Sequence, residues 1–370
     1  MLAFEGSLRW LNMLCNPLTL PGAEAIVGAL EKSCILATVC GLQEGEARID
    51  LRGRTLQPCD AVLLAGDLQK GALGGACCGV YTIQLDDNNL AGRGKEHEPE
   101  KPEGLRRLAR ALRVNSTVTR LSLKRNLLGV EAARALAETF AAARTLRDVD
   151  MRHNAVGVDG ARRVAEAMAM RPAQWRQYNG VPLGELMAGT MQQLDLSDAS
   201  IGLDGGLVLA NWLSHNDSLT ALELSGNELG GHSSKVVTTA ISDMLQLNQG
   251  LRSLTLRRNA LKSYDAQALA KGLARNTRLT TLDLQNNAIG ADGAKSLVEA
   301  LRSSDTLEAG GGKLWQWFKS AVGAHGSQVR PEKLTSSEEL MRLDLGGNPV
   351  GKDLLASLKG PCRASINIST

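Results

Sequence analysis

The stretch Leu279-Thr-Thr-Leu-Asp-Leu-Gln-Asn-Asn-Ala-Ile-Gly-Ala-Asp-Gly-Ala-Lys-Ser-Leu-Val-Glu-Ala-Leu301 contains two hydrophobic periods. Leu282 and Leu284 alternate with polar residues, which is the two-residue period of a half-buried strand. Apolar residues then recur at intervals of three and four, as on one side of an amphipathic helix: Ala294, Leu297 and Leu301. Asn287 stands between the two segments, where its side chain can hydrogen-bond backbone groups that a tight turn leaves unpaired. We therefore predict one strand followed by one helix, neither of which could bury its apolar side alone.

Ten copies of this template follow one another, each centred on a residue that corresponds to Asn287 and is called the anchor below. The anchors are Asn16, Arg54, Asn88, Asn126, Asn154, Ala199, Asn227, Asn259, Asn287 and Asn348. Their intervals are 38, 34, 38, 28, 45, 28, 32, 28 and 61 residues, so a 28-residue period recurs and every departure lengthens it. We therefore predict one repeated unit with insertions at residues 91–103, 169–190 and 304–337.

In this spacing the chain resembles the leucine-rich repeat family, and the 28-residue period with a full helix is similar to its ribonuclease-inhibitor-like subclass. The resemblance implies an α/β solenoid of about ten repeats, a horseshoe with parallel strands on the concave face and helices on the convex face. It also implies a single domain over residues 1–370, because a solenoid grows by adding units. The same scaffold serves unrelated functions, so a function has to be argued from a site.

Composition argues against several classes of protein. The formal net charge is +3, whereas nucleic-acid binders usually carry a strongly basic face, so neither nucleic acid nor a membrane surface is expected as a partner. The seven cysteines include no Cys-x-x-Cys pair, and the five histidines are scattered over separate repeats. No catalytic or nucleotide-binding motif is present. We therefore predict a protein without enzymatic activity, metal or cofactor, and the absence of room for a signal peptide before Leu8 predicts a cytoplasmic location.

The strand alternation predicts which residues face a partner. Residues four, two and one positions before each anchor should lie on the exposed side of the sheet, where the column four before is largely acidic and the columns nearer the anchor are largely basic. A surface with both signs suits a protein partner. The candidate partner-binding residues at these positions are Lys124, Arg125, Asp150, Arg152, His153, Asp195, Glu223, Arg257, Arg258 and Asp283, and Arg120, one strand position behind them, is added. The alternative for the basic cluster around Lys124 and Arg152 is neutralisation from within by Asp148 and Asp150.

Two further regions stand out. Trp315, in the insertion at 304–337, is a candidate interface anchor, although a helix packed back over the solenoid is the alternative. In the insertion at 169–190, Trp175 and Tyr178 are expected to pack rather than to bind a ligand. Only seven residues precede Leu8, too few for a cap, so the first strand edge is paired with something, self-association included, or the chain is part of a longer protein.

Together these features predict a non-catalytic scaffold that binds a protein partner through the concave face and adjoining loops. One alternative is a GTPase activator resembling the Ran GTPase-activating proteins, although the acidic tail typical of that family is absent from the end Pro-Cys-Arg-Ala-Ser-Ile-Asn-Ile-Ser-Thr. Another alternative is the ligand-sensing segment of a larger NOD-like receptor. The partner's identity does not follow from the sequence.

Overall fold

A computed structural model describes residues 7–71, 76–92, 101–230, 234–303, 342–350 and 365–367. The chain forms two compact units, Met1–Pro182 (unit 1) and Leu183–Thr370 (unit 2), and strands and helices alternate in both. Trp315, the insertion predicted at 304–337 and most of the one at 91–103 lie outside the described residues.

Unit 1 contains a parallel sheet whose five strands pair in sequence order, β1 to β5. Its strands are β1 (Arg48–Asp50), β2 (Thr82–Gln84), β3 (Arg120–Ser122), β4 (Asp148–Asp150) and β5 (Gln177–Tyr178). Its helices are α1 (Leu20–Lys32), α2 (Pro58–Gly71), α3 (Glu103–Val114), α4 (Val130–Ala142) and α5 (Gly157–Ala169). Successive helices pack against one another, from α1 with α2 to α4 with α5.

Unit 2 repeats the arrangement with a six-stranded parallel sheet, again in sequence order. Its strands are β6 (Gln193–Asp195), β7 (Ala221–Glu223), β8 (Ser253–Thr255), β9 (Thr281–Asp283), β10 (Arg342–Asp344) and β11 (Ser365–Asn367). Its helices are α6 (Leu183–Ala188), α7 (Gly202–Leu213), α8 (Ser234–Leu247), α9 (Ser263–Leu273) and α10 (Ala291–Ser303). The last strand, β11, pairs in parallel with β10.

Both hydrophobic periods read from the opening stretch are confirmed. Leu282 and Leu284 are fully buried on β9 and directly after it, and Ala294 and Leu297 are fully buried on α10. The register places equivalent apolar residues side by side, so that Leu254 pairs with Leu282 in the next strand. Each repeat therefore continues the apolar layer of its neighbour, which is how short strands and helices share one core.

The anchor asparagines join successive repeats. Asn259 illustrates the pattern: its Oδ1 accepts the backbone N–H groups of Asn227 and Leu229, while its Nδ2 donates to the carbonyls of Leu224 and Arg257. Each oxygen reaches back to the turn of the preceding repeat. The same arrangement, called the asparagine ladder below, continues at Asn287 and Asn348. It satisfies buried turn groups that would otherwise cost free energy.

The predicted insertion at 169–190 contains regular structure. Gln177 and Tyr178 form β5, which pairs with β4, and Leu183 begins α6. The prediction that Trp175 and Tyr178 pack against the protein is confirmed, and both side chains are almost fully buried. Trp175 stacks edge-on against Phe140 with ring centroids 5.6 Å apart. The segment thus adds a short strand to the sheet of unit 1.

The beginning of unit 1 is held differently. Trp10 and Asn12 form isolated bridges with Thr38 and Cys40, which belong to a buried segment inserted in the chain between α1 and β1. The buried carboxylate of Asp67, on α2, accepts hydrogen bonds from the Thr38 hydroxyl at 2.5 Å, the Val39 N–H at 2.8 Å and the Cys40 N–H at 3.0 Å. An acidic side chain therefore fixes this segment, where no ladder asparagine is present.

A second buried carboxylate, that of Asp60, accepts backbone hydrogen bonds at the first turn. Asp60, also buried on α2, accepts the N–H of Cys15 and the N–H of Gln57, both at 2.8 Å. By contrast, the first anchor, Asn16, is exposed and donates only to the nearby carbonyls of Met13 and Leu14. These two carboxylates and the bridges thus join the first repeat to the second, in addition to the packing of α1 against α2.

Candidate interaction site on the strand faces

The exposed side of each sheet, called the strand face, carries the predicted residues. On β3 and just after it, Leu121 and Leu123 point into the core, whereas Arg120 and Lys124 alternate with them and reach solvent. The alternation is the ordinary two-residue period of a strand. The six predicted residues of unit 1 fall on β3, β4 and the turns that follow them.

In unit 1 the predicted basic cluster is neutralised by carboxylates. Arg120 Nη2 lies 2.9 Å from Asp148 Oδ2, and Arg152 Nη2 lies 2.7 Å from Asp150 Oδ2. The second pair is bidentate, and this hydrogen bonding raises the pKa of Arg152. Of the two hypotheses drawn from the sequence, internal neutralisation by Asp148 and Asp150 is the one that the geometry fits.

Two further acids, Asp86 and Asp87, complete the cluster and were missed in the sequence. Lys124 Nζ lies 3.6 Å from Asp86 Oδ2 and 3.8 Å from Asp150 Oδ2, and Arg125 Nη1 lies 3.5 Å from Asp87 Oδ1. Asp86 is buried and also accepts a hydrogen bond from the Ser122 hydroxyl. Both acids stand two and one residues before Asn88, in the columns that carry basic residues elsewhere, and aligning the repeats would have revealed this. His153, the sixth predicted residue, is exposed.

In unit 2 the five predicted residues lie on β6 to β9 and the turns after β8. Arg257 Nε lies 2.7 Å from Asp283 Oδ2, an adjacent-strand pair that raises the pKa of Arg257. Asp195 instead accepts from the Ser197 hydroxyl and N–H, and these hydrogen bonds lower its pKa. Glu223 is held in the same way by Ser225. The two acids at the start of this strand face are therefore held by hydroxyl groups rather than by arginine.

Arg258 forms a pair that crosses a repeat. Its Nη2 lies 3.1 Å from Asp198 Oδ2, although the two residues are 60 positions apart in the chain. Gly226, which lies between them in the order of repeats, leaves the necessary room, because a Cβ there would clash with Asp198 Oδ1.

The residue directly before the anchor has a left-handed backbone in all ten repeats. Three of these residues are glycines, which adopt positive φ freely, namely Gly53, Gly226 and Gly347. The other seven are Cys15, Asp87, Arg125, His153, Asp198, Arg258 and Asn286, with φ between 49° and 60° as at Arg125 (50°) and His153 (59°). A side chain is therefore kept at a position where glycine fits without strain, and most of these side chains are polar and exposed.

The part of the chain that the structure describes also bears on metal binding, cysteine reactivity and membrane insertion. There, no three histidine, cysteine or acidic side chains are grouped so as to hold a metal ion. Burial and the neighbouring Asp67 raise the pKa of the Cys40 and Cys77 thiols, which keeps them protonated at neutral pH, as expected of structural cysteines. Among the described helices, none has the length and apolar character needed to cross a bilayer.

The comparisons with known proteins agree with this architecture. The family described as Leucine Rich repeat matches residues 142–165, 215–231 and 275–298. Each of these ranges contains one strand of a repeat and the turn that follows it. The repeated strand and helix, the parallel sheets and the asparagine ladder agree with this family match. The chain is therefore a leucine-rich repeat protein.

Three relatives illustrate the range of proteins that contain such a segment. The chain is 32% identical over 124 residues to Leucine-rich repeat-containing protein 45 of Gallus gallus, covering 32% of this chain and 18% of that protein. It is 30% identical over 130 residues to the Protein phosphatase 1 regulatory subunit 37 homolog of Caenorhabditis briggsae, covering 35% and 13%. It is 34% identical over 116 residues to NACHT, LRR and PYD domains-containing protein 13 of Homo sapiens, covering 31% and 11%. The chain thus matches less than a fifth of the length of each relative.

Proposed function

We propose that the chain is a non-catalytic leucine-rich repeat scaffold that binds a protein partner through its strand faces. This proposal rests on the residues directly before the anchors, which have a left-handed backbone. Arg125, His153 and Arg258 occupy this position, which glycine takes in other repeats. A non-glycine residue in this conformation costs on the order of 1–3 kcal/mol.

The fold gains little from these side chains. Arg125 and Arg258 are well exposed, and their ion pairs with Asp87 and Asp198 are surface pairs worth about 0–1 kcal/mol. His153 is exposed as well. Side chains that strain the backbone without adding core suit contact with a partner, and their mixed charge suits a protein surface.

Replacing strained residues by glycine tests the proposal. The variant Arg125→Gly with His153→Gly, and separately Arg258→Gly, should fold with an unchanged or slightly higher melting temperature, because glycine relieves the positive φ. Crosslinking in cells followed by mass spectrometry should then lose the partner recovered with the wild type. Arg162→Ala with Arg163→Ala, on exposed positions of α5, is the matched control. Unchanged crosslinks in both strand-face variants would move the interface away from the strand faces.

A second candidate is a ligand-sensing segment of a larger NOD-like receptor. It is favoured by the match to the NACHT, LRR and PYD domains-containing protein and by the small share of that protein that the chain covers. A nucleotide-binding domain in the same natural reading frame would support this candidate. Stimulation of GTP hydrolysis by a Ran-like GTPase would instead support the GTPase activator.

Three narrower proposals accompany this function. We infer the ribonuclease-inhibitor-like subclass from the 28-residue anchor spacing, for example between Asn259 and Asn287. We also propose that residues 1–370 act as one domain and that the protein works in the cytoplasm. Cooperative loss of both units in a single urea transition would support one domain, and imaging of a tagged chain would test the location.

A further inference from the structure

A surface on unit 1 that the proposed function does not use carries several exposed arginines. It is formed by the C-terminal ends of α3, α4 and α5 and by the loops that lead from them back to the sheet. The arginines of this surface, called the arginine edge below, are Arg113, Arg144, Arg147, Arg171 and Arg176.

The three loops stack on one another through hydrogen bonds. Thr145 donates from its hydroxyl to the carbonyl of Asn115, and Gln174 donates from Nε2 to the carbonyls of Ala143 and Leu146. Backbone pairing continues the stack, since the N–H of Arg176 donates to the carbonyl of Arg147. The arginines therefore sit on one continuous edge that spans three repeats.

The charges of this edge are not balanced locally. All five arginines are exposed, and none of them forms an ion pair with a carboxylate among the described residues. Asp148, which follows the second loop at the start of β4, is turned to the strand face and paired with Arg120. Some arginines of the unit 1 helices, such as Arg107 and Arg134, do have carboxylate partners, whereas Arg162 and Arg163 on α5 form no ion pair among the described residues.

A structural role accounts for only one of the five. In unit 2, arginines on the corresponding loops bind the neighbouring repeat: Arg252 donates to the carbonyl of Arg278, and Arg278 to that of Gln249. Arg147 does the same in unit 1 through the carbonyl of Gln174. Arg113, Arg144, Arg171 and Arg176 have no such hydrogen bond among the described residues, so the stacking of the loops does not explain them.

Apolar side chains lie beside these arginines. Val114, at the end of α3, is 69% exposed, and Met170, directly after α5, is 71% exposed. Arg144 follows α4, the helix between them in the stack. Adjacent helices are about 10 Å apart, so the edge from Val114 to Met170 is about 20 Å long. An extended chain of about six residues covers that length.

We propose that the arginine edge binds an acidic protein segment in which carboxylates alternate with apolar side chains. The carboxylates would pair with the guanidinium groups of Arg113, Arg144 and Arg171, which suit bidentate carboxylates. The apolar side chains would cover Val114 and Met170. Single-stranded nucleic acid fits less well, because it relies on several aromatic side chains for stacking, and Tyr81 is the exposed aromatic residue near this edge in the described part of unit 1.

Fluorescence anisotropy on the full chain tests the proposal. The probe is a fluorescein-labelled peptide of alternating glutamate and leucine, about eight residues long. Arg144→Glu with Arg171→Glu should weaken its binding by about tenfold or more, and Met170→Ser by a smaller factor. Arg162→Glu with Arg163→Glu, two exposed arginines on α5 away from the edge, carries the same change in net charge and should alter binding by less than about threefold.

The outcomes separate the proposal from its rivals. An equal loss in the control variant would show attraction by net charge alone and overturn the site. A polyglutamate peptide that binds as tightly as the alternating peptide would overturn the apolar part, and tighter binding of a uridine oligonucleotide would overturn the protein class. If the charge-reversed variant melts early, Arg144→Gln with Arg171→Gln gives the same test, and full binding by that folded variant also contradicts the proposal.

Discussion

The repeats of unit 2 and the first repeats of unit 1 share one apolar frame but are joined by different polar groups. In unit 2, Asn227, Asn259 and Asn287 pass hydrogen bonds from turn to turn, and an amide does not titrate. At the beginning of unit 1, the carboxylates of Asp60 and Asp67 hold the preceding segment instead. The difference shows that the repeat needs a buried acceptor for the N–H groups of the preceding segment, and that either chemistry can supply one.

The largest expected loss of stability comes from the buried leucines that both units share. Leu123 in unit 1 and Leu284 in unit 2 stand three residues before their anchors, and both are fully buried. Replacing either by alanine should lower the free energy of unfolding by roughly 2–5 kcal/mol, through lost burial and a cavity. Urea denaturation measures this. A loss below about 0.5 kcal/mol at either position would show that the two units do not share the frame.

Breaking the asparagine ladder should cause the next largest loss in the free energy of unfolding. Asn259→Ala leaves two N–H groups and two carbonyls of neighbouring turns without their side-chain partner and should cost roughly 2–4 kcal/mol. The matched control is Asn16→Ala at the exposed first anchor, which should cost less than about 0.5 kcal/mol. Urea denaturation of both variants gives the comparison. Equal losses would mean that the first anchor also belongs to a ladder.

Loss of the Asp67 carboxylate, which holds residues 36–42, should cost somewhat less stability, and its effect should stay local to that segment. Asp67→Ala removes the acceptor for Thr38, Val39 and Cys40, and we expect a loss of roughly 2–3 kcal/mol. Hydrogen exchange should quicken at residues 36–42 and stay unchanged in unit 2. Slowed or unchanged exchange at Val39 and Cys40 would contradict the role given to Asp67.

The smallest effect is a dependence on pH at this junction. Burial raises the pKa of Asp67, although its hydrogen bonds with Thr38, Val39 and Cys40 oppose the shift. A carboxyl whose pKa is higher in the folded state contributes stability that is complete below its unfolded pKa of about 3.9 and is lost as pH rises through the folded value. Urea titrations from about pH 4 to 7 should show the advantage of wild type over Asp67→Asn shrinking as pH rises. A constant difference would show that Asp67 titrates normally.

Much of the fold could be predicted because local periodicity is visible in one repeat. Leu282, Leu284 and Leu297 mark strand and helix without knowledge of any neighbour, and Asn287 marks the turn between them. Residues 36–42 and 177–178 escaped the template because they lack the full leucine frame and an anchor. Tertiary pairing with Trp10 and with β4 gives these segments their structure.

The candidate site was predicted less completely. The alternation of Leu121 and Leu123 with polar residues placed Arg120 and Lys124 on the strand face correctly. Neutralisation by Asp148 and Asp150 was foreseen as one alternative, but the part of Asp86 and Asp87 was missed. These two acids meet Lys124 and Arg125 across 38 residues of sequence, one repeat away. A charge read along the chain does not show its neighbour across the sheet. Whether these faces bind a partner stays a prediction.

The backward reach of the ladder oxygens has a consequence for the order in which the protein is made. Asn259 supplies the acceptor for the turn at Asn227, so that turn keeps unpaired N–H groups until the later repeat has been synthesised and docked. Each new repeat completes its predecessor, as Asn287 completes the turn at Asn259. Folding of this part of the chain can therefore follow synthesis one repeat behind, and a nascent chain that stalls between two anchors leaves its last finished turn open.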